Sequence, residues 1–450
     1  MSQTFKLQKG FDINIKGFPQ TDTKKHYHSQ TYAIKPTDFK GIAPIPKLEV
    51  AVGEEVLAGD PLFFDKSNPD IKFCAPVSGE VMEIKRGAQR AISEIIILAD
   101  KETRFRSFSP VNLGDKKAVI ARMMEAGVWV MLKQRPFGVL ADPNEVPRDI
   151  FVSAFDSSPL APDYSLVVKN QVSALQAGID VLNTLTSGKV YLGLNKKQSA
   201  VSEFQNLQKV EKYYFDGPHP AGNVGVQIHH IKSINKGDVV WTIDLQDLII
   251  LGRLFKENKF DTQRIYTLAG SAAKSPTYFS SYIGANVGEL LKTQLENKDT
   301  RVISGNCLTG KKIDPNDFLN FYSNQLCLIK EGDQYELFGW LLPSYPRPTI
   351  SRTFWNGLFP SNRSFDVNTN MHGEKRALVV TGEYEKVLPM DVYPQQLIKA
   401  ILSNDLDLME GLGIYEVLEE DLALCEFVCT SKTPVQHILR DGLSMMQEQA

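Results

Sequence analysis

Nowhere in this 450-residue chain is there a run of the roughly 18 apolar residues that a membrane-spanning helix needs. The most apolar stretch, Ala118 to Leu132, is interrupted by Arg122, Glu125 and Gly127. Charge of one sign is missing as well. Lys+Arg number 50 and Asp+Glu 53, a net charge of −3, which leaves no electrostatic footprint for nucleic acid or for an anionic lipid surface. Cysteine is scarce. Five in all, an odd count, exclude a disulfide framework and fit a reducing compartment. The 4 tryptophans stand alone, so there is no stacking platform for single strands. No P-loop, H-E-x-x-H, nucleophile elbow or G-x-G-x-x-G is present. The first seventeen residues lack the apolar h-region of a secretory signal and alternate instead (Phe5, Leu7, then Ile13, Ile15), as a strand does. The expected location is cytoplasmic, with any membrane role exercised through a partner.

What is present is material for several cores. Hydrophobic residues make up 42% and charged residues 23%, and the length predicts about three domains at ~150 residues each. From Leu48 onward, short alternating segments are separated by Gly53, Gly59, Gly79 and Gly87, which predicts a small β sandwich or barrel. A middle unit alternates strand and helix. IFVSAF (150–155), KVYLGL (189–194) and VEKYYF (210–215) read as strands. Val172, Leu175, Ile179 and Leu182 mark one face of an intervening helix, with Asn170 as its expected cap and Gly188 just past its end. Strand–helix–strand implies a parallel sheet. Residues 266–292 read as strand, glycine turn, strand and helix. Residues 335–400 mix strands with loops rich in proline (Pro343, Pro346, Pro348), and the last fifty are helical.

The candidate sites each have a plain structural alternative. The paired GEEVLAGD and APVSGEV segments are similar to biotinyl/lipoyl domains, whose modifiable lysine stands seven residues before the Ala of the Ala-Pro pair. Here that position is Asn68, and Lys66 and Lys72 are out of register. An amide is not acylated as an amine is, so a structural or docking role is expected. After IFVSAF, Pro159 and Pro162 remove the N–H donors that a phosphate cradle needs; Asp156 or Asp163 could contact a ribose, but ordinary loop acids are the preferred reading. GPHPAGNVG (217–225) offers Gly217, His219, Gly222 and Asn223 as a ligand loop, or else a rigid turn. Cys425 and Cys429, at i and i+4, have too few companions for an Fe–S cluster, and core cysteines are preferred. Cys74, Cys307 and Cys327 stand singly. His437 is the only further zinc ligand near the Cys425/Cys429 pair; His229/His230 do not share a face, and His26/His28 could face together on a strand, but no metal is expected.

FKLQKGFDINIKG, KSNPDIKFCAPVSGEVMEIKRGAQR, FDGPHPAGNVGVQIHHI, FGWLLPSYPRPTISRTF and EEDLALCEFVC occur in order over nearly the whole chain. Together they resemble the NqrA family of the sodium-pumping NADH:quinone oxidoreductase, itself similar to the flavoprotein subunit of respiratory complex I and to the C subunit of the Rnf complex. The resemblance implies an α/β multidomain fold. Residues 1–110 would form a biotinyl/lipoyl-like barrel-sandwich without the modifiable lysine, and 111–258 a Rossmann-like unit. Residues 259–378 would form a β-grasp module of the soluble-ligand-binding (SLBB) type with following strands, and 379–450 a helical unit similar to a degenerate Fe–S domain. It also implies that redox ligands are stripped. KQRPFGVL (133–140) stands where the relatives carry a glycine-rich FMN loop, and Ser157, Ser158, Pro159 and Leu160 where they carry an acidic loop. The implied role is a peripheral subunit on the cytoplasmic face of the bacterial inner membrane. It would work with the B to F subunits of a Na⁺-transporting NADH:quinone reductase, docked chiefly on the membrane-embedded B subunit and supporting the step from semiquinone to quinol. It would have no catalytic residue and no redox cofactor of its own, while NADH, flavins and an Fe–S centre serve in other subunits. A direct quinone or nucleotide pocket is the alternative.

Overall fold

The computed structural model describes residues 3–87, 91–295, 299–333, 347–350 and 363–449. The expectations for Pro343 and Pro346, for most of the 338–354 motif and for the end of the 66–90 motif lie outside the described residues.

Alternation after Leu48 becomes two small antiparallel sheets. One orders Thr31–Ile34, Ile92–Ala99, Gly79–Arg86 and Glu55–Val56; the other orders Lys47–Leu48, Pro61–Phe64 and Lys72–Cys74. Asn68 lies in the hairpin turn between Pro61–Phe64 and Lys72–Cys74, so the swinging-arm position holds an amide. Lys72 is committed to Glu49 at 2.8 Å and to the face of Phe64.

The middle of the chain forms a seven-stranded sheet. Its order is Thr4–Lys6, Glu211–Asp216, Val190–Asn195, Ile150–Ser153, Val240–Asp244, Lys133–Arg135, Val139–Leu140. The first five strands run parallel, as the strand–helix–strand pattern requires, and each of the last two is antiparallel to the strand before it. The parallel part starts in the centre at Ile150–Ser153, steps outward twice, then returns to the other side at Val240–Asp244. The helices Val172–Leu185 and Leu245–Glu257 cover the sheet and touch closely. Only glycine permits that approach: a Cβ on Gly252 would lie 1.8 Å from the Ala174 carbonyl oxygen. The cap of Val172–Leu185 differs from expectation. Gln171 occupies the N-cap, with no side-chain capping bond, because Asn170 takes a left-handed conformation (φ 65) in the turn before it.

A six-stranded sheet follows, ordered Lys311–Ile313, Thr300–Ser304, Gln325–Lys330, Gln263–Ala269, Thr277–Tyr282 and Gln20–His26. Its turn at Gly270 and the helix Gly288–Gln294 match the pattern read from 266–292. Two N-terminal strands thus serve distant sheets: Thr4–Lys6 pairs with Tyr214–Asp216, and Gln20–His26 pairs with Thr277–Tyr282. The C-terminal unit is helical (Pro394–Leu402, Leu406–Gly411, Glu419–Val428, Val435–Gln449). Phe39 fastens the first and third units, 4.6 Å from the Phe73 ring and 4.8 Å from Phe321. Trp129 and Trp241 cross edge to face at 5.4 Å beneath the parallel sheet. No helix of the described residues is long and apolar enough to cross a membrane.

Candidate functional site

In an open parallel sheet the crevice for a ligand lies beyond the carboxyl ends of the strands, where the winding reverses. Here that point is between Ile150–Ser153 and Val240–Asp244. A cleft of about 730 Å³ opens there, walled by the parallel sheet, the third unit's sheet and the C-terminal helices.

The loop 154–163 forms one wall. Asp156 accepts the Ser158 N–H at 2.7 Å, and burial raises its carboxyl above the usual range. Asp163 accepts the Ser165 N–H and caps Tyr164–Val167. Asp244 ends the neighbouring strand and caps Leu245–Glu257 through the Gln246 N–H at 2.8 Å. It also accepts the Tyr164 hydroxyl and the Asn324 amide, each at 3.1 Å. At a third helix, Val224–Lys232, Asn223 is the N-cap with no side-chain capping bond, and an acid approaches from afar. A Cβ on Gly225 would lie 2.3 Å from Asp421 Oδ2, so that carboxylate sits against the first turn. Asp421 is held by Arg135 at 3.0 Å, and both side chains are buried. Arg135 also reaches Glu420 at 2.7 Å. A carboxylate at a helix N-terminus occupies the place where exposed N–H groups would otherwise favour an external anion. Two of these helix starts are capped by the protein's own acids, and Asp421 sits against the third.

The loop of Gly217, His219, Gly222 and Asn223 divides. His219, Gly222 and Asn223 line the cleft. Gly217 does not, because it packs where a Cβ would meet the Leu7 carbonyl oxygen at 2.6 Å. Asn223 is not a free donor: its amide bonds the Glu420 carbonyl at 2.9 Å. His219 is 3% exposed, and burial lowers its imidazole to about 4, so it is neutral near pH 7. Ser157 Oγ receives the Gly222 N–H at 2.8 Å and lies 3.0 Å from His219 Nδ1. If the single hydroxyl proton points to Nδ1, the ring carries its own proton on Nε2. That Nε2 is buried without a partner, as are Ser158 Oγ and Gln325 Oε1, all in residues of the cleft wall. Sequence reasoning found His219 but missed Gln325, Tyr164 and Lys133. Lys133 Nζ stands 4.0 Å over the Tyr322 ring, and burial lowers its ammonium. The stretch 133–140 does line the cleft, but through Lys133, Arg135, Gly138, Val139 and Leu140 and not through a glycine cradle.

Elsewhere, Cys425 and Cys429 are both buried. Tyr384 donates its hydroxyl to Cys429 Sγ at 2.9 Å, and Cys425 faces the Tyr384 carbonyl. Among the described residues no group of three or more His, Cys, Asp or Glu side chains is arranged to hold a metal. His229 bonds Glu416, and His230 bonds the Pro389 carbonyl.

Three family models match in succession: the NqrA N-terminal barrel-sandwich hybrid domain over 5–100, the NqrA second alpha/beta domain over 114–260, and the NQRA C-terminal domain, of SLBB type, over 266–314. Among curated proteins, the A subunit of the Na(+)-translocating NADH-quinone reductase of Vibrio atlanticus is 35% identical over 451 residues, 98% of this chain and 99% of its own. Its counterparts of the same name from Alcanivorax borkumensis (35% identical, 98% of this chain and 99% of its own) and Serratia proteamaculans (36%, 99% and 99%) agree. An NAD⁺-reducing [NiFe]-hydrogenase overlaps 75% of this chain and 62% of its own at 10% identity with a TM-score of 0.38, too distant to bear on function. On end-to-end similarity to these relatives, the chain belongs to the NqrA family, the A subunits of the Na⁺-translocating NADH-quinone reductase.

Proposed function

We propose that this chain is a peripheral, cofactor-free subunit on the cytoplasmic face of the Na⁺-pumping NADH:quinone oxidoreductase. It docks on the membrane-embedded B subunit and supports the final reduction of semiquinone to quinol, while NADH oxidation, flavins and the Fe–S centre belong to other subunits. The middle unit, residues 111–258, is read as a Rossmann-like body that has kept its shape and given up its nucleotide. One observation carries the reading: Asp244 caps its helix at the switch-point cleft, and Asp163 and Asp421 stand at two neighbouring helix starts. A carboxylate at a helix start takes the place that a phosphate of NADH or FMN would use. The loop 154–163 adds Pro159 and Pro162, which lack N–H donors.

The test is co-purification from detergent-solubilised membranes. Recovery of the chain with the B subunit, retained after a salt wash, supports docking. Recovery without any integral-membrane redox subunit sinks it.

A second reading has its own support in the unpartnered polar atoms of the cleft wall, His219 Nε2 above all. It holds that the cleft takes a flat neutral headgroup such as a quinone directly, with the imidazole N–H as donor. If His219→Ala leaves quinone affinity of the chain unchanged, this reading fails.

A further inference from the structure

Two histidines on one helix reach across to the C-terminal helical unit. His229 and His230 belong to the last turn of Val224–Lys232, with their rings edge to face at 5.2 Å. His229 Nδ1 lies 2.7 Å from Glu416 Oε2, and the Asp391 N–H donates to His229 Nε2 at 3.1 Å. A backbone amide can only donate. Nε2 therefore carries no proton in this arrangement, and the one ring proton is on Nδ1, directed to the carboxylate. His230 is fixed in the other sense. Its Nε2 lies 2.8 Å from the Pro389 carbonyl, which can only accept, so that nitrogen keeps its proton whether or not the ring is charged. The two rings thus hold the segment 389–391, just before the helix Pro394–Leu402, through one acceptor and one donor.

We propose that His229 is a proton-operated latch between the middle unit and the C-terminal helices: neutral, it holds Asp391; protonated, it releases Asp391 and keeps Glu416. Protonation places a second N–H on the ring, at Nε2, facing the Asp391 N–H, and two donors do not bond each other. The bond to Asp391 is lost. Both N–H groups turn to water, which has access because Asp391 is exposed. The contact with Glu416 becomes an ion pair and keeps the ring in place. His230 stays on the Pro389 carbonyl, so the segment is loosened at Asp391 and still tethered at Pro389.

Charges act on His229 from several sides. Glu416 and the carboxyl end of its own helix favour the imidazolium. The bond from Asp391 opposes it, and so does His230, which burial lowers and a charge on His229 lowers further. The other cations nearby are committed: Lys232 to Asp149 at 2.6 Å, Arg148 to Asp149 and Asp238, Lys236 to Glu410 at 2.9 Å, and Arg135 to Asp421 and Glu420. Imidazole is the side chain that changes charge between about pH 5 and 8, and the latch answers to acidification over that range. It stands on these contacts alone and does not depend on what the cleft binds.

The experiment is hydrogen exchange of the full chain, followed by mass spectrometry on the peptide that spans 390–392, with each rate divided by the intrinsic rate at that pH. Protection should fall about tenfold between about pH 8 and 5.5, the loss of one hydrogen bond. His229→Gln offers a side-chain carbonyl to the Asp391 N–H and does not titrate, so its protection should stay level with pH. Glu416→Gln withdraws the charge that favours the imidazolium and should move the loss of protection to lower pH. Circular dichroism checks that both variants remain folded. Nitrogen NMR of the histidine rings in the unsubstituted chain should find His229 Nε2 without a proton at about pH 8. Protection at 390–392 that is the same at both pH values would overturn the proposal. A proton on His229 Nε2 at the higher pH, or an equal pH dependence in His229→Gln, would overturn it as well.

Discussion

Two places in this molecule invite comparison with cofactor sites, and their side chains differ in kind. At the hairpin between Pro61–Phe64 and Lys72–Cys74, the residue at the modifiable position is Asn68, and the hairpin itself is kept around it. At the switch-point cleft, distant parts of the chain have moved in. Asp421 and Glu420 arrive from the C-terminal helices to meet Arg135, and Asn223 is drawn to the Glu420 carbonyl. An exposed tip loses its function with one side chain and needs no compensation. A buried crevice lined with helix starts cannot be left bare, because unpaired N–H groups and charges out of water are costly. The internal acids are part of that compensation, and they join the units through Arg135 and Asn223.

If the joint matters structurally, breaking it should produce the largest effect. Asp421→Asn takes from buried Arg135 its buried partner, leaving only the half-exposed Glu420, and should cost about 3 kcal/mol in urea unfolding. Replacing both residues, Arg135→Met with Asp421→Leu, should recover most of that loss. A single substitution costing less than about 1 kcal/mol would show the joint to be ornamental.

The pH dependence sharpens the same contrast. His219 is lowered by burial from 6.5 to about 4, so the folded protein binds fewer protons than the unfolded chain between those values. The stabilising contribution is fully present above pH 6.5 and is lost as the pH falls toward 4, at a slope of at most about 1.4 kcal/mol per pH unit. His219→Gln should remove one proton's worth of that slope in a set of denaturation curves. An unchanged slope would mean that the imidazole titrates as it does in water.

Smaller again is the cap at the loop: Asp163→Ala should cost about 1 kcal/mol by thermal unfolding. The smallest change belongs to the tip. Asn68→Lys restores an amine in the hairpin turn and should alter stability by no more than about 0.5 kcal/mol. A large loss there would erase the distinction between the two places.

Local patterns carried far in this sequence, and long-range pairings did not. The alternation of 150–155, 189–194 and 210–215 marks strands within a residue or two of Ile150–Ser153, Val190–Asn195 and Glu211–Asp216. The apolar face from Val172 to Leu182 marks a helix that does run from Val172 to Leu185. Each is a local periodicity, legible without knowing the neighbours. The capping of that helix differs because Asn170 takes the left-handed turn instead, a choice set by the loop before it. Nothing local says that the strand Gln20–His26 joins Thr277–Tyr282. His219 is visible in the sequence as a loop histidine. That Ser157 flanks it, or that Asp421 reaches the helix start beside it, depends on contacts more than sixty residues away in the chain. Asn223 shows the limit most plainly: as a sequence it is an available donor, and in the fold its amide is already used.

On the proposed reading, the cleft leaves no place for a phosphate-bearing cofactor. Equilibrium titration of the full chain with FMN and with NADH, followed by fluorescence and calorimetry, tests it most directly. The expected result is no saturable binding of either nucleotide up to millimolar concentration. One-to-one binding of either in the micromolar range, competed by the other, would contradict it.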